Sequence, residues 1–375
     1  MDNEHKLRRR MVIAYYERPG IGWHAVEKAV RHRLWRKHDW TLQELLDIGL
    51  KQEQAEKTGH FFRDAAWREA AGAGALKDRD DVAVLTPFDV EYPSILLEIA
   101  QPPWVLYAKG RLELLERPAV AMVGTRVPTA YGRHMASAIA QELSEAGVTV
   151  VSGLARGIDS KAHEAAMKGP GGTIAVLPTP IDTCYPTENA SLFRQLSEKG
   201  LLLSETPIGT KLHPGQFHQR NRIIAALSRA TIVVEGARKS GSLITAKHAL
   251  QMDRELFAVP GQITSPKSDG PNELIREGKA RLLSETPQIF EELPWLLDQA
   301  APFGSGGAHD SAMLVTESLE PEERKLIAFL QDQPLSINEL HELSAIPFGH
   351  LNALLLNLCI KRKIELQPGS IYIAL

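Results

Sequence analysis

Cysteine is nearly missing from this chain. Of 375 residues only Cys184 and Cys359 carry a thiol. They lie far apart, in no C-x-x-C pair, which excludes a disulfide framework and a thiolate zinc site and leaves two ordinary buried or half-buried thiols. Long apolar runs are missing too. No stretch approaches the roughly 20 residues needed to span a bilayer, and MDNEHKLRRRMVIAYYERPG at the N-terminus has no apolar core of signal-peptide length before its turn. The expectation is a cytoplasmic protein without a membrane partner. A dominant charge is also absent: 43 Lys and Arg stand against 46 Asp and Glu, a net charge of -3, so any surface for a polyanion has to be a local patch. One such asymmetry is at the start, where residues 1–40 hold ten basic and five acidic side chains. It fits a nucleic-acid face or a solvated helix face equally well.

What is present is enough apolar residue, 43%, for two or three domains with sizeable cores. Residues 1–75 read as helical: HKLRRRMVIAYYE, GWHAVEKAVRHRLWRK, TLQELLDIGL and QAEKTGHFFRDAAWREAA place apolar residues at three- and four-residue spacing. The RPGIG turn between the first two resembles that of helix-hairpin-helix or SAM-like modules, whose amides grip a DNA phosphate; a plain helix connection explains it as well. From about residue 82 the pattern changes. Apolar runs at 119–123, 148–152, 173–177, 201–205, 231–235 and 255–259 alternate with helical segments, the repeat of βαβ units. Residues 80–295 are therefore expected to form a Rossmann-like, doubly wound parallel sheet. The segment 296–319 contains APFGSGGAHDSA, small and polar, a linker by composition. Residues 320–375 spell helices closed by a β-hairpin with its turn at QPGS, a winged-helix-like domain. Its third helix is rich in Leu, with Lys361, Arg362 and Lys363 behind it, which favours a protein-contact or auxiliary role over base reading.

In an open α/β sheet, ligands bind beyond the carboxyl ends of the strands. Here those ends carry GTR, SGLARGID, PTPIDTCYP, SETP, EGARKSGS and PGQ. Small residues let a ligand approach the backbone, and free amides at helix starts favour an anion. The anion is not a nucleoside triphosphate by any familiar loop. GARKSGSL has the glycine spacing of a Walker A motif in Gly236 and Gly241, but Ser242 and Leu243 stand where Lys and Ser or Thr belong, and no G-x-G-x-x-G follows a strand. Arginine is present instead: Arg126, Arg156 and Arg238 in strand-end loops, Arg220 and Arg222 in FHQRNRII. Guanidinium groups beside backbone amides suit the repeated phosphates of a polymer at least as well as one small ligand. Each has a structural alternative. Arg222 can cap a helix or pair with Glu205 or Glu235. Asp159 and His163 can be an acid–base pair, metal ligands, or a helix cap and its neighbour. His213 and His218 lack a third metal ligand at a familiar spacing, and Ser240 and Ser242 lack a nucleophile-elbow context. No catalytic constellation, cofactor site or metal site emerges.

Taken together, VGTR…YG, VSGLARGIDSKAHEAAM, GGTIAVL, DTCYPTEN, LLLSETP, FHQRNRIIAALS, VVEGARKSGSLITAKHAL, AVPGQI and GPNELI resemble, in order and spacing, the DNA-processing protein DprA (Smf) family over roughly residues 80–285. The resemblance implies a bacterial protein that is not chiefly an enzyme. Its family binds single-stranded DNA taken up in natural transformation, protects it, and loads the RecA recombinase, acting as a homodimer through the Rossmann-like domain. Carried over motif by motif, Arg126 is the phosphate-gripping arginine, with amides from Gly124 and Thr125. Ser152, Gly153, Gly157 and Asp159 form a second binding loop; Arg220, Asn221 and Arg222 a third; Ser240, Gly241 and Ser242 a fourth. The chain departs from the family pattern at Pro178 and Pro180 after the third expected strand, at Thr187 where a lysine often follows YP, and at Gly236. The alternative is an enzyme of a related Rossmann-like branch that hydrolyses nucleotides with a P-G-G-x-G-T-x-x-E loop. Here Thr245 is followed by Ala246, Lys247 and His248, without the glutamate.

Overall fold

The computed structural model describes residues 3–64, 66–69, 81–299, 321–332, 335–344, 346–348, 350–351, 354–355, 358, 363–367 and 371–374. It divides into two compact units, Met1–Phe303 and Gly304–Leu375.

The first unit opens with five helices, α1 (Asn3–Tyr16), α2 (Trp23–Arg31), α3 (Leu42–Asp47), α4 (Gln52–Arg63) and α5 (Ala66–Glu69). Their ends are set locally. Thr41 and Glu44 form a reciprocal capping box at the start of α3, and α2 stops before Arg33, whose φ of 52° is left-handed. The expected boundary between the helical and sheet regions, between residues 75 and 80, lies outside the described residues. The two regions nonetheless bury one common core, in which Met11, Tyr15 and Phe62 join Tyr107, Leu177 and Leu202. Part of the basic N-terminal run is occupied internally. Arg9 binds Asp89 at 2.7 Å, Arg36 binds Glu4 at 2.6 Å, and Arg10 donates to the Arg68 carbonyl. The RPGIG turn leads into Trp23, which packs on Trp104 with centroids 5.7 Å apart and donates to Pro102 O. That turn docks the helices on the sheet region.

The sheet has nine strands: β1 (Ala83–Leu85), β2 (Leu106–Gly110), β3 (Ala119–Val123), β4 (Thr149–Ser152), β5 (Thr173–Leu177), β6 (Leu201–Ser204), β7 (Ala230–Val233), β8 (Glu255–Ala258) and β9 (Arg281–Leu282), in the order β1-β2-β6-β5-β4-β3-β7-β8-β9. From β6 to β9 all pairings are parallel; β1 and β2 join antiparallel at one edge. The six strands expected from apolar runs are β3 to β8, and β3 to β7 are buried at every position, as a parallel sheet covered on both faces requires. Around them run α6 (Ala130–Glu145), α7 (Ile158–Ala166), α8 (Ala190–Lys199), α9 (Gly215–Ala226), α10 (Ser242–Gln251), α11 (Asp269–Arg276), α12 (Pro287–Glu292) and α13 (Trp295–Gln299). The chain steps from β3 outward through β4, β5 and β6, then returns to lay β7 on the other side of β3. The switch point is therefore between β3 and β7, where such folds open a ligand crevice.

The second unit contains α14 (Pro321–Asp332), β10 (Leu335–Ser336), α15 (Ile337–Ser344), β11 (Ile364–Gln367) and β12 (Ile371–Ala374). The expected hairpin is present, β11 against β12, and β10 adds a third antiparallel strand on the far side of β12. Leu326, Leu330, Leu340, Leu351 and Leu355 form its core. Most of the expected linker, Cys359, Lys361, Arg362 and the last three residues of the QPGS turn lie outside the described residues. No helix among the described residues is long and apolar enough to cross a membrane.

Candidate nucleic-acid interface

The loop after β3 is held by the strand beside it. The Thr125 amide donates to Glu235 O at 2.7 Å, and the buried Glu235 carboxylate accepts from the Thr129 amide at 2.9 Å and from its hydroxyl. Thr129 in turn caps α6 by accepting from Gly132 N at 3.0 Å. This corrects one expectation: the Thr125 amide is occupied by a backbone carbonyl and is not a free anion donor. The loop after β4 packs under it. Gly157, with φ of +83°, starts α7 where any Cβ would collide with Thr125 O, and Ile158 N donates to that same oxygen at 3.2 Å.

Three polar side chains beneath this surface hold the loops together. Asp159 is buried and accepts from the amides of Gly153 (3.2 Å) and Ala155 (3.3 Å); burial raises its pKa, and the Arg220 charge opposes the rise. Arg220 passes over Gly153, where a side chain would not fit, and donates to the carbonyls of Gly153 and Val176. Burial lowers its pKa to about 10, against the pull of Asp159 and with help from the Arg126 charge, so it remains a cation at neutral pH. His163 lies fully buried between Thr173 and Leu154. The Thr173 hydroxyl donates to Val150 O and so accepts from His163 Nδ1, while Nε2 accepts from Leu154 N. Burial, then the Arg220 charge, lowers its pKa to about 3 and keeps the ring neutral. Asp159 and His163 thus act as loop-holding groups rather than as an acid–base or metal pair. Among the described residues no three His, Cys, Asp or Glu side chains gather as metal ligands would.

Above this layer lies an open cleft of about 560 Å³ at the switch point. It is lined by the β3 loop, the exposed side of α9 and the start of α10. Of the expected site residues it brings together Gly124, Thr125, Arg126, Asp159, Arg220, Asn221, Ser240, Gly241 and Ser242. It does not bring in the other four. Ser152 donates its hydroxyl to Met122 O inside the sheet. Gly153 and Gly157 shape the floor. Arg222 turns away to Glu205, bidentate at 2.6 Å with both side chains 14% exposed, and its other nitrogen donates to Gln101 O. Burial raises the Glu205 pKa, and Arg222 counters it. Residues two apart on a helix point to different sides, which is why Arg220 and Arg222 part company.

Arg126 differs from the arginines below it. Its side chain is exposed, with no hydrogen-bond or ion-pair partner among the described residues, and its guanidinium lies 5.6 Å from the centre of the Phe217 ring. Phe217 meets Tyr185 edge to face with centroids 5.4 Å apart, and both rings line the cleft. These two aromatics were missed in the sequence reading. The signal was there: Phe217 stands three and four residues before Arg220 and Asn221, on the same face of α9, and an aromatic interleaved with cations is the pattern of a base-stacking surface. The Pro178–Pro180 loop beside them is tied down, with Thr183 N donating to Pro180 O at 2.9 Å and Thr206 Oγ1 to Pro178 O at 3.1 Å. Thr187 is exposed and opens a short 3-10 turn.

An exposed arginine, two rings and a helix start at a sheet switch point are features that many anion-binding folds share. Comparison with known proteins narrows them. Residues 83–294 match the family described as DNA recombination-mediator protein A, and residues 311–370 match the DprA winged helix domain. Protein Smf of Synechocystis sp. is 40% identical over 314 residues, 77% of this chain and 79% of that protein. The chain belongs to the DprA/Smf family. Among solved structures, DNA processing protein A of Streptococcus pneumoniae is similar with a TM-score of 0.63 at 32% identity, covering 78% of this chain and 98% of that one. DNA processing protein A of Helicobacter pylori, whose structure is described for its single-stranded DNA binding mode, is similar with a TM-score of 0.53 at 33% identity, covering 57% and 96%. The DprA winged helix match begins before residue 320, where the sequence pattern put its start.

Proposed function

We propose that this DprA-family chain binds single-stranded DNA in the cleft at the β3–β7 switch point. The observation that carries the proposal is the exposed, unpaired Arg126 beside the Tyr185–Phe217 pair. A phosphate would rest on Arg126, near Asn221 and the Ser240–Ser242 start of α10, where the helix dipole favours negative charge. Bases would stack on Tyr185 and Phe217, which read no sequence because every base has a π-face. The single-stranded DNA binding described for the Helicobacter pylori relative supports the reading. On it, the protein acts by binding and not by catalysis. It protects an incoming strand during natural transformation and passes it to RecA in the cytoplasm, as a homodimer through the sheet domain. The two-residue edge strand β9, with Leu282 46% exposed, leaves an open sheet edge for that contact.

The test is a mobility-shift titration with single-stranded and duplex oligonucleotides of one sequence, at several salt concentrations. The protein should prefer the single strand. Arg126→Ala should weaken binding on all sequences alike and flatten the salt dependence by about 0.7 in log–log slope, the value for one phosphate contact on a single strand. Equal affinity for both oligonucleotides contradicts the proposal. Turnover of nucleoside monophosphates by the same preparation would support the hydrolytic alternative.

A further inference from the structure

Beside the main cleft lies a smaller one of about 260 Å³, and the two share Arg126, Ala155, Tyr185, Phe217 and Arg220. The aromatic pair is thus a ridge with a pocket on either side. Beyond the ridge the smaller pocket has a cation of its own, Arg156, in the loop between β4 and α7, together with Pro178 and Pro186. Unlike Arg126, Arg156 is engaged: its Nη2 forms an ion pair with Glu188 in the turn that follows Tyr185 and Pro186. Both partners are more than half exposed, at 59% and 57%. An ion pair so open to water is weak, because each charge keeps most of its hydration, and a phosphate can replace the carboxylate at little cost. The same guanidinium fork fits either anion.

Resting on the single-stranded DNA reading above, we infer that Arg156 is a second phosphate contact, held by Glu188 until a strand crosses the Tyr185–Phe217 ridge and displaces the carboxylate. The strand then spans both pockets. One phosphate lies on Arg126, the bases at the ridge stack on the two rings, and a later phosphate takes Arg156. Glu188 acts as an internal competitor that lowers affinity for strands too short to reach past the ridge least, and for longer strands most.

The experiment is fluorescence anisotropy on the full-length protein with labelled oligothymidylates of about four to about sixteen nucleotides. The variants are Arg156→Ala, Glu188→Gln, the double variant, and Arg126→Ala as a control. Arg156→Ala should leave the shortest oligonucleotide nearly unaffected, weaken longer ones, and lower their salt slope by about 0.7. Glu188→Gln should tighten the longer ones by about two- to fivefold, the scale of an exposed ion pair, and should lose that effect in the Arg156→Ala background. Unchanged binding by Arg156→Ala at every length overturns the inference. Equal tightening by Glu188→Gln with and without Arg156 also overturns it, since that marks a diffuse charge effect. If Arg126→Ala weakens binding while Arg156→Ala does not, only this inference fails; if Arg126→Ala binds as the unmodified protein does, the parent reading fails.

Discussion

Two arginines border the same cleft and do different work because their surroundings differ. Arg220 is buried against Asp159 and two carbonyls, whereas Arg126 stands in solvent over a ring. Removing the buried cation leaves Gly153 O and Val176 O without their donor and takes away the charge that favours the Asp159 carboxylate, so Arg220→Met should cost about 2–5 kcal/mol in urea unfolding. Arg126→Ala should stay within about 0.5 kcal/mol, as surface changes do. A third residue ties stability to pH. His163 titrates near 6.5 in the unfolded chain and at about 3 in the fold, so the unfolded state binds the extra proton between those values. Its contribution is fully present above about pH 6.5 and is lost as pH falls toward 3. Asp159, raised by burial, works with the opposite sign. Urea titrations at a series of pH values should therefore show a smaller loss on acidification for His163→Gln than for the unmodified protein; parallel curves would contradict the assignment.

At the scale of elements, the site depends on how the β3 and β4 loops nest. Gly157→Ala puts a side chain at φ of +83° and against Thr125 O, a strain of about 1–3 kcal/mol that pushes on the loop carrying Arg126. It should lower both the melting temperature and the affinity for single strands. Phe217→Ala should weaken oligothymidylate binding by about 1–3 kcal/mol, the worth of one base stack, and unchanged affinity would remove the ring from the site. Much of this level was legible. The runs that form β3 to β8 are short and mostly apolar because both faces of the sheet are covered, and turns rich in Gly, Ser or Pro marked their carboxyl ends. The strands β1 and β9 have three and two residues and show no alternation to read. In FHQRNRII the motif was legible but its geometry was not. Helical spacing already separates Arg220 from Arg222 and aligns Phe217 with Arg220, yet which face meets the cleft depends on Glu205, just past the end of β6 and seventeen residues away, holding Arg222.

At the scale of the whole molecule, the Rossmann-like class followed from alternation and the DprA resemblance from ordered loop motifs. The union of the N-terminal helices with the sheet did not follow, because it is made by distant pairs such as Arg9 with Asp89 and Tyr107 with Glu17. Some of the charges in the basic N-terminal run are paired within the same unit, Arg9 with Asp89 and Arg36 with Glu4 among them. The unit Met1–Phe303 has its own core and contains the whole cleft. A chain ending at residue 303 should retain most of the affinity for oligothymidylate, measured by anisotropy against the full-length protein. The most direct test of the central claim is ultraviolet cross-linking of the full-length protein to oligothymidylate, with the attached peptides mapped by mass spectrometry. Cross-links at Tyr185 and Phe217 that vanish on adding excess unlabelled single strand, but not duplex, are the predicted result. Cross-links confined to residues 304–375 or to the N-terminal helices would contradict the account.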